Sequence, residues 1–505
     1  MAKRATSFEL ALPPKDSAAP AYRWLYAALR AAILEGRLHP ASRLPATRDL
    51  ATQYRLSRGT IVYAVEQLKS EGYVQARMGS GTYVSDTLPD ELLQVRSIAT
   101  PSPPLQEERH RSRRISAYAK RVHLFPTLAP RPSRAFRPNL PALELFPTTL
   151  WAQVAARRLR KVSTNFLLGC KPLGYLPLRQ AVADYLSSSR GVNCVAEQVA
   201  IVSGAQEALD LVARLFVNPG DRVCMENPGY IGATAVFESL GAKISYVPLD
   251  DEGMELREAT LRNARLVYVT PGHQFPLGIT MSLPRRLQLL ESARKSGALI
   301  LEDDYDSEFR YAGRPVPALQ GLDRHGLVLF TGSFSKVLFP SLRLGYLVLP
   351  HDVVDRFSAT LSITRRHAPL MEQAILSDFI TAGHFGRHLR RMRQIYAERL
   401  SVLLESARQN LAGLLEISGV EAGLQTVGWL QRGLDGELAA AAAAKRNVEV
   451  IPLSTYSHGN VASTGLQLGF AAVDAQEIRR GVQDLAIALQ TARKTPRRDV
   501  NLQLP

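Results

Sequence analysis

From Tyr22 the chain runs "YRWLYAALRAAILEG", with apolar residues at helical spacing and Gly36 at a C-cap position. "RLPATRDLATQY" follows. Pro45 stops extended chain, Thr47 is placed to cap, and Leu50, Ala51 and Tyr54 form a short helical face. In "LSRGTIVYAVEQLKSEG", Ser57 is placed to cap a third helix, whose inner face is Ile61, Val65 and Leu68 and which ends at Gly72. "YVQARMGSGTYV" then alternates as two short strands joined at Gly79-Ser80-Gly81. Three helices and a hairpin predict a winged helix-turn-helix over residues 18–86.

The pattern then lapses. Residues 87–130, with "PSPPLQEERHRSRR", are rich in proline and charge and have no period, which predicts a linker. About 45 flexible residues span roughly 40 Å. From residue 131 to about 500, short apolar runs alternate with helical patterns. "QVAIVSGAQEALDLVARLF", "DRVCMENPGY", "ARLVYVTPGHQF", "GALILEDDYD" and "GLVLFTGSF" each end an apolar run at a polar or small-residue turn. This predicts an α/β domain with a mainly parallel sheet between helices, followed by a smaller C-terminal α+β segment. The alanine run in "GELAAAAAAKRNVEVIPLS" reads as a tightly packed helix.

Composition fits more than one domain. The chain has 505 residues, 46% of them hydrophobic. Its net charge is +16, and residues 1–135 carry 21 Lys+Arg against 11 Asp+Glu, so +10 falls in the first quarter. A basic end on a less charged body points to a polyanion partner, most simply double-stranded DNA. Cys170, Cys194 and Cys224 form neither a CxxC nor a His-paired set, so no metal site and no disulfide framework is expected. With no signal-like start and no run of about 20 apolar residues, the expected setting is the cytoplasm, away from any membrane.

In a parallel α/β sheet, ligands sit beyond the carboxyl ends of the strands. Those ends carry a specific set: Ser203-Gly204-Ala205-Gln206 opening a helix, Pro228-Gly229-Tyr230, Asp303-Asp304-Tyr305, and Lys336 after "LVLFTGS". Each alone has a plain structural reading; the two aspartates and the tyrosine serve equally well as turn formers. Together they offer a phosphate cradle, a ring to stack, an acid, a phenol and an amine. Pyridoxal 5'-phosphate needs that combination: an amine to condense with its aldehyde, a carboxylate for its pyridinium nitrogen, and donors for its phosphate.

"SGAQEALDL", "ENPGY", "PGHQFPLG", "LEDDYDSEFRY" and "TGSFSKVLFPSLRLGY" resemble the fold-type I aminotransferase-like domain of MocR/GabR-type transcription regulators. The segment from "LPATRDL" to "GSGTYV" is similar to the GntR-type winged helix of the same family, in the same order. The resemblance implies that Lys336 forms the Schiff base with the cofactor, Asp303 faces the pyridine nitrogen, Tyr305 the ring oxygen, and Tyr230 stacks on the ring. Ser333, Arg343 and the turn Gly204, Ala205, Gln206 hold the phosphate, and His273 or Gln274 stands near the ring oxygen. Asp304 is left as structural. On the DNA side it implies Arg48, Ser57, Arg58 and Thr60 at the recognition helix, and Arg77, Gly79 and Gly81 in the wing.

It further implies a head-to-tail homodimer and a regulator that senses an amine, an amino acid or a B6 compound. The alternative is an aminotransferase with an incidental DNA-binding domain. One position departs from the aminotransferase pattern: Gln467 stands in "LQLGF", where many aminotransferases carry a carboxylate-binding arginine.

Overall fold

The computed structural model describes residues 20–77, 80–87, 114–124, 133–311, 316–417, 419–459 and 464–494. Two compact units result, divided between Arg113 and Arg114.

In the first unit, α1 (Ala21–Leu34), α2 (Thr47–Gln53) and α3 (Arg58–Ser70) precede an antiparallel hairpin of β1 (Val74–Arg77) and β2 (Gly81–Val84). Leu25, Leu29, Ile33, Leu50, Ile61, Val65 and Leu68 meet in one apolar core closed by Val74 and Val84. Burying each of these side chains contributes about 1.5–3 kcal/mol, which is what holds three short helices together. Gly36 has φ +73°, as a C-terminal stop requires. Thr47 does not cap α2: it is the first helical residue, and Ala46 before it offers no side-chain bond. Ser57 does cap α3, its Oγ accepting from Thr60 N at 3.1 Å. Ser57→Ala is therefore expected to cost about 1 kcal/mol of local stability, read as faster amide hydrogen exchange across residues 58–70 in the full chain.

The predicted linker is described only at 87 and 114–124. There it is not featureless: α4 (Ala117–Arg121) is capped by Ser116, and Arg121 Nε donates to Ser239 O at 2.9 Å. Proximity to the following domain gives this stretch a partner that its own composition does not disclose.

The second unit is built on an eight-stranded sheet in the order β3-β10-β9-β8-β7-β4-β5-β6. The strands are β3 (Val199–Val202), β4 (Arg222–Asn227), β5 (Lys243–Asp250), β6 (Gly253–Met254), β7 (Ala264–Val269), β8 (Leu299–Asp304), β9 (Val328–Ser333) and β10 (Gly345–Val348). The central pairs β5/β4, β4/β7, β7/β8 and β8/β9 are parallel. Two strands depart from this: β10 runs antiparallel to both β3 and β9, and β6 antiparallel to β5. β3 is apolar over its whole length and all four of its residues are buried, whereas β8 starts apolar and ends in the buried acids Glu302, Asp303 and Asp304.

The smaller sheet has the order β11-β12-β14-β13, from β11 (Leu415–Ile417), β12 (Gln425–Leu430), β13 (Ile451–Pro452) and β14 (Gly465–Gly469). It packs with the long helix His384–Asn410 and with Ala475–Lys494. The alanine run forms the helix Gly436–Ala444, with Ala439 and Ala443 buried.

Candidate functional site

Every predicted strand-end residue of the second unit lies where an apolar strand stops. β3 runs into Ser203-Gly204, and α5 (Ala205–Phe216) begins there with Gly204 as its N-cap at φ +104°, a backbone setting that favours glycine. A helix N-terminus of twelve residues presents unpaired N–H groups to an anion. A Cβ at Gly204 would sit 3.5 Å from Arg343 Nη2, so the guanidinium lies directly over this turn. Arg343 is exposed and precedes β10. Because β10 is antiparallel, its start falls beside the ends of its neighbours, Gly345 opposite both Val202 and Ser333. Ser333 caps the short helix α6 (Phe334–Val337), accepting from Ser335 N at 3.2 Å, and α6 carries Lys336.

Burial holds the Lys336 amine down to about 8; Asp306 and Asp303 oppose the shift, and Arg343 and Arg137 reinforce it. Its Nζ donates to Asn139 O at 2.8 Å. Asp303, 4% exposed, is pushed up to about 7 by burial against the bond it accepts from Tyr268. That bond, from Tyr268 OH to Oδ2, measures 2.8 Å, while Oδ1 is buried without a hydrogen-bond partner among the described residues. A buried carboxylate oxygen left open is costly unless a donor arrives. A protonated pyridine nitrogen is such a donor.

Tyr230, at the N-cap of the helix Ile231–Ser239, packs edge-on against Phe275 at 5.6 Å and feels both Asp303 and Arg343. Gly232 makes room for its ring, since a Cβ there would come within 2.5 Å of it. Burial raises the Tyr305 phenol well above its ordinary range, as do Asp306 and Asp303. Gln206 Nε2 donates to Gly232 O at 3.3 Å. Lysine, acid, phenol, ring, guanidinium and helix N-terminus thus share one edge of the sheet, and the donor set fits a pyridoxal phosphate.

His273 lies beside Tyr305. Its Nδ1 lies 3.1 Å from Tyr305 OH and 2.9 Å from Asp306 Oδ1, and it is buried. It touches the Tyr305 phenol and is anchored by Asp306. Gln274 is turned away, donating to Pro228 O at 3.0 Å. Asp304 is structural, paired with buried Arg190 at 2.6 Å. Gln467 is fully buried on β14 and its Oε1 accepts from Tyr456 OH at 2.8 Å. Tyr268, Asp306, Asn139 and Gln425 join the same region with little signal in the sequence. Only the phenol inside "LVYV" and the fourth acid position of "EDDYD" hint at the first two.

On the first unit, Arg58 is exposed at the first position of α3, and Arg48 is exposed on α2. Ser57 and Thr60 engage each other, with Oγ to Oγ1 at 2.8 Å. Arg77 is held over Tyr83 at 4.7 Å and lies 3.6 Å from Asp86. Gly81, φ +115°, lets Arg43 pack within 2.9 Å of where a Cβ would stand. Gly79 lies outside the described residues.

Sheet, strand-end lysine and winged helix define a fold-type I aminotransferase-like domain on a DNA-binding head. Residues 144–485 match the family model "Aminotransferase class I and II", and residues 21–84 match "Bacterial regulatory proteins, gntR family". A probable rhizopine catabolism regulatory protein, MocR, of Rhizobium meliloti is 40% identical over 94% of both chains. The pyridoxine biosynthesis transcriptional regulator PdxR of Corynebacterium glutamicum is 30% identical over 91% of this chain and 94% of its own. Among solved structures, the α-aminoadipate aminotransferase of Thermus thermophilus, bound to a phosphopyridoxyl-leucine, is 30% identical with a TM-score of 0.65 over 71% of this chain and 92% of that one. The chain belongs to the MocR-type transcription regulators of the GntR superfamily, whose aminotransferase-like domain is of the pyridoxal phosphate-dependent fold.

Proposed function

We propose that this regulator binds pyridoxal 5'-phosphate through Lys336 and uses the lysine as an exchangeable latch for an amine-bearing effector or a B6 compound. The observation that carries the reading is the open, buried Oδ1 of Asp303 at the same sheet edge as Lys336. Bound there, the cofactor supplies an aldehyde carbon that amines compete for. Asp303 would hold the pyridine nitrogen, with Tyr268 fixing its other oxygen. Tyr305 would donate to the ring oxygen and Tyr230 cover the ring. Arg343, Ser333 and the Gly204–Gln206 turn would hold the phosphate. Exchange of a covalent bond is a local change large enough to bias two states of a dimer; full switching takes about 5.5 kcal/mol of differential affinity. The dimer is taken to be head-to-tail, and its winged helices to read two half-sites of an operator in the cytoplasm.

An aminotransferase reading also has support, because lysine, acid and phenol are all in place. Against it stands the neutral, buried Gln467. Visible spectra with added amines separate the two. A spectral change without keto product, coupled to altered DNA binding, is the expected result; steady keto-acid release would overturn the regulator reading. Asp303→Asn removes the charge that meets the pyridinium. It is expected to weaken cofactor binding roughly 10–100-fold, as loss of a charged buried hydrogen bond does, in a fluorescence titration. Unchanged affinity would remove Asp303 from the site.

A further inference from the structure

Lys336 and Tyr305 are each tied by hydrogen bonds to the adjacent residues Gln425 and Leu424 at one corner of the smaller sheet. Lys336 Nζ donates to Asn139 O (2.8 Å), and Asn139 N donates to Gln425 Oε1 (3.0 Å). The neighbouring Leu424 N donates to Asp306 Oδ2 (3.1 Å), whose Oδ1 is 2.9 Å from His273 Nδ1, itself 3.1 Å from Tyr305 OH. Asp306 is fully buried beside His273; with His273 donating its Nδ1–H to Asp306, the Tyr305 hydroxyl hydrogen would be free to turn to a ligand. Gly423, φ +93°, is what lets the loop close on this pair: a Cβ there would come within 2.1 Å of His273 Cε1 and 2.7 Å of Asp306 Oδ2.

Asn139 has φ +62°, a setting asparagine tolerates, and it lies in the stretch after the predicted linker. Phe136 bridges to Gly469, and Gly469 pairs with Gln425, so this stretch rides on the same corner of the sheet. The contact it makes with Lys336 depends on the state of that nitrogen. A free amine has hydrogens to donate to Asn139 O. Condensed with an aldehyde, with loss of water, the nitrogen would keep at most one hydrogen and would no longer be a free donor to Asn139 O.

Resting on the cofactor reading above, we infer that Asn139 and Gln425 are positioning residues that report whether Lys336 is free, holding the stretch 133–142 only when it is. The aldehyde cofactor and pyridoxamine 5'-phosphate share ring and phosphate, but the second carries an amine and leaves Lys336 unbonded. Amide hydrogen exchange across residues 133–142 should therefore be slower in the full-length protein loaded with pyridoxamine 5'-phosphate than with pyridoxal 5'-phosphate, by on the order of tenfold at the affected amides, as one hydrogen bond allows. In Gln425→Leu, which removes the acceptor at similar volume, that difference should vanish while the visible band with the aldehyde form persists. Equal exchange in the two loaded wild-type forms, or a difference that survives in Gln425→Leu, overturns the inference and leaves the cofactor reading standing. Absence of any visible band in wild type overturns both.

Discussion

Mixed with pyridoxal 5'-phosphate, Lys336→Ala is expected to develop no lysine-linked visible band and to bind the cofactor at least about 100-fold more weakly, a loss of roughly 2.7 kcal/mol. The wild-type protein should show a rate of band formation that depends on pH in one direction. The neutral amine is the nucleophile. Burial brings Lys336 down to about 8, so the rate should rise with pH and level off above that value. At pH 7.5 about a quarter of the lysine is neutral, against about one part in a thousand for an ordinary lysine. A stopped-flow series from pH 6 to 9.5 reads this directly. A rate that keeps rising through pH 9.5 would show a lysine with no depressed pKa and would detach Lys336 from the environment described. The Lys336→Ala variant should still bind operator DNA, but without response to added amine.

The second large effect belongs to the other unit. Arg58→Ala is expected to weaken specific operator binding by about 1–3 kcal/mol, the range for an arginine reading a guanine edge. Arg58 stands at the first turn of α3, the part of a recognition helix that enters the major groove, and it is exposed. Non-specific binding should change little, and the cofactor band not at all. The same titration against operator and scrambled DNA separates outcomes: equal losses on both make Arg58 a phosphate contact, and no loss on either removes it from the interface. Arg77 should matter less, because Tyr83 and Asp86 already engage it.

The DNA-binding head was legible because its helices are short, local and amphipathic, and its hairpin is set by two alternating strands. The strand-end residues were legible for a related reason: a buried parallel strand is a bare apolar run, and the residues directly after its last apolar position lie at the ligand edge of the sheet. Lys336, Asp303, Tyr305, Tyr230 and the Gly204 turn all fall in that class. Partners at long range were not legible. Asn139 lies 197 residues from Lys336 and Gln425 lies 286 from Asn139, and no local period encodes such pairings. His273 meets Tyr305 because Asp306 and Gly423, from distant parts of the chain, close around it.

By itself the sequence determined two units of different character, the helical core of the first, and a lysine, an acid, a phenol and a ring placed after apolar strands, because hydrophobic period and strand-end position are local properties. Tertiary structure decided which of these meet. Arg343 reaches the Gly204 turn because β10 reverses direction between two strands that point the other way. Asp303 has one oxygen held and one open because Tyr268 comes from the neighbouring strand. Lys336 is held near 8 because the folded chain removes it from water, a cost that no neighbouring residue in sequence imposes.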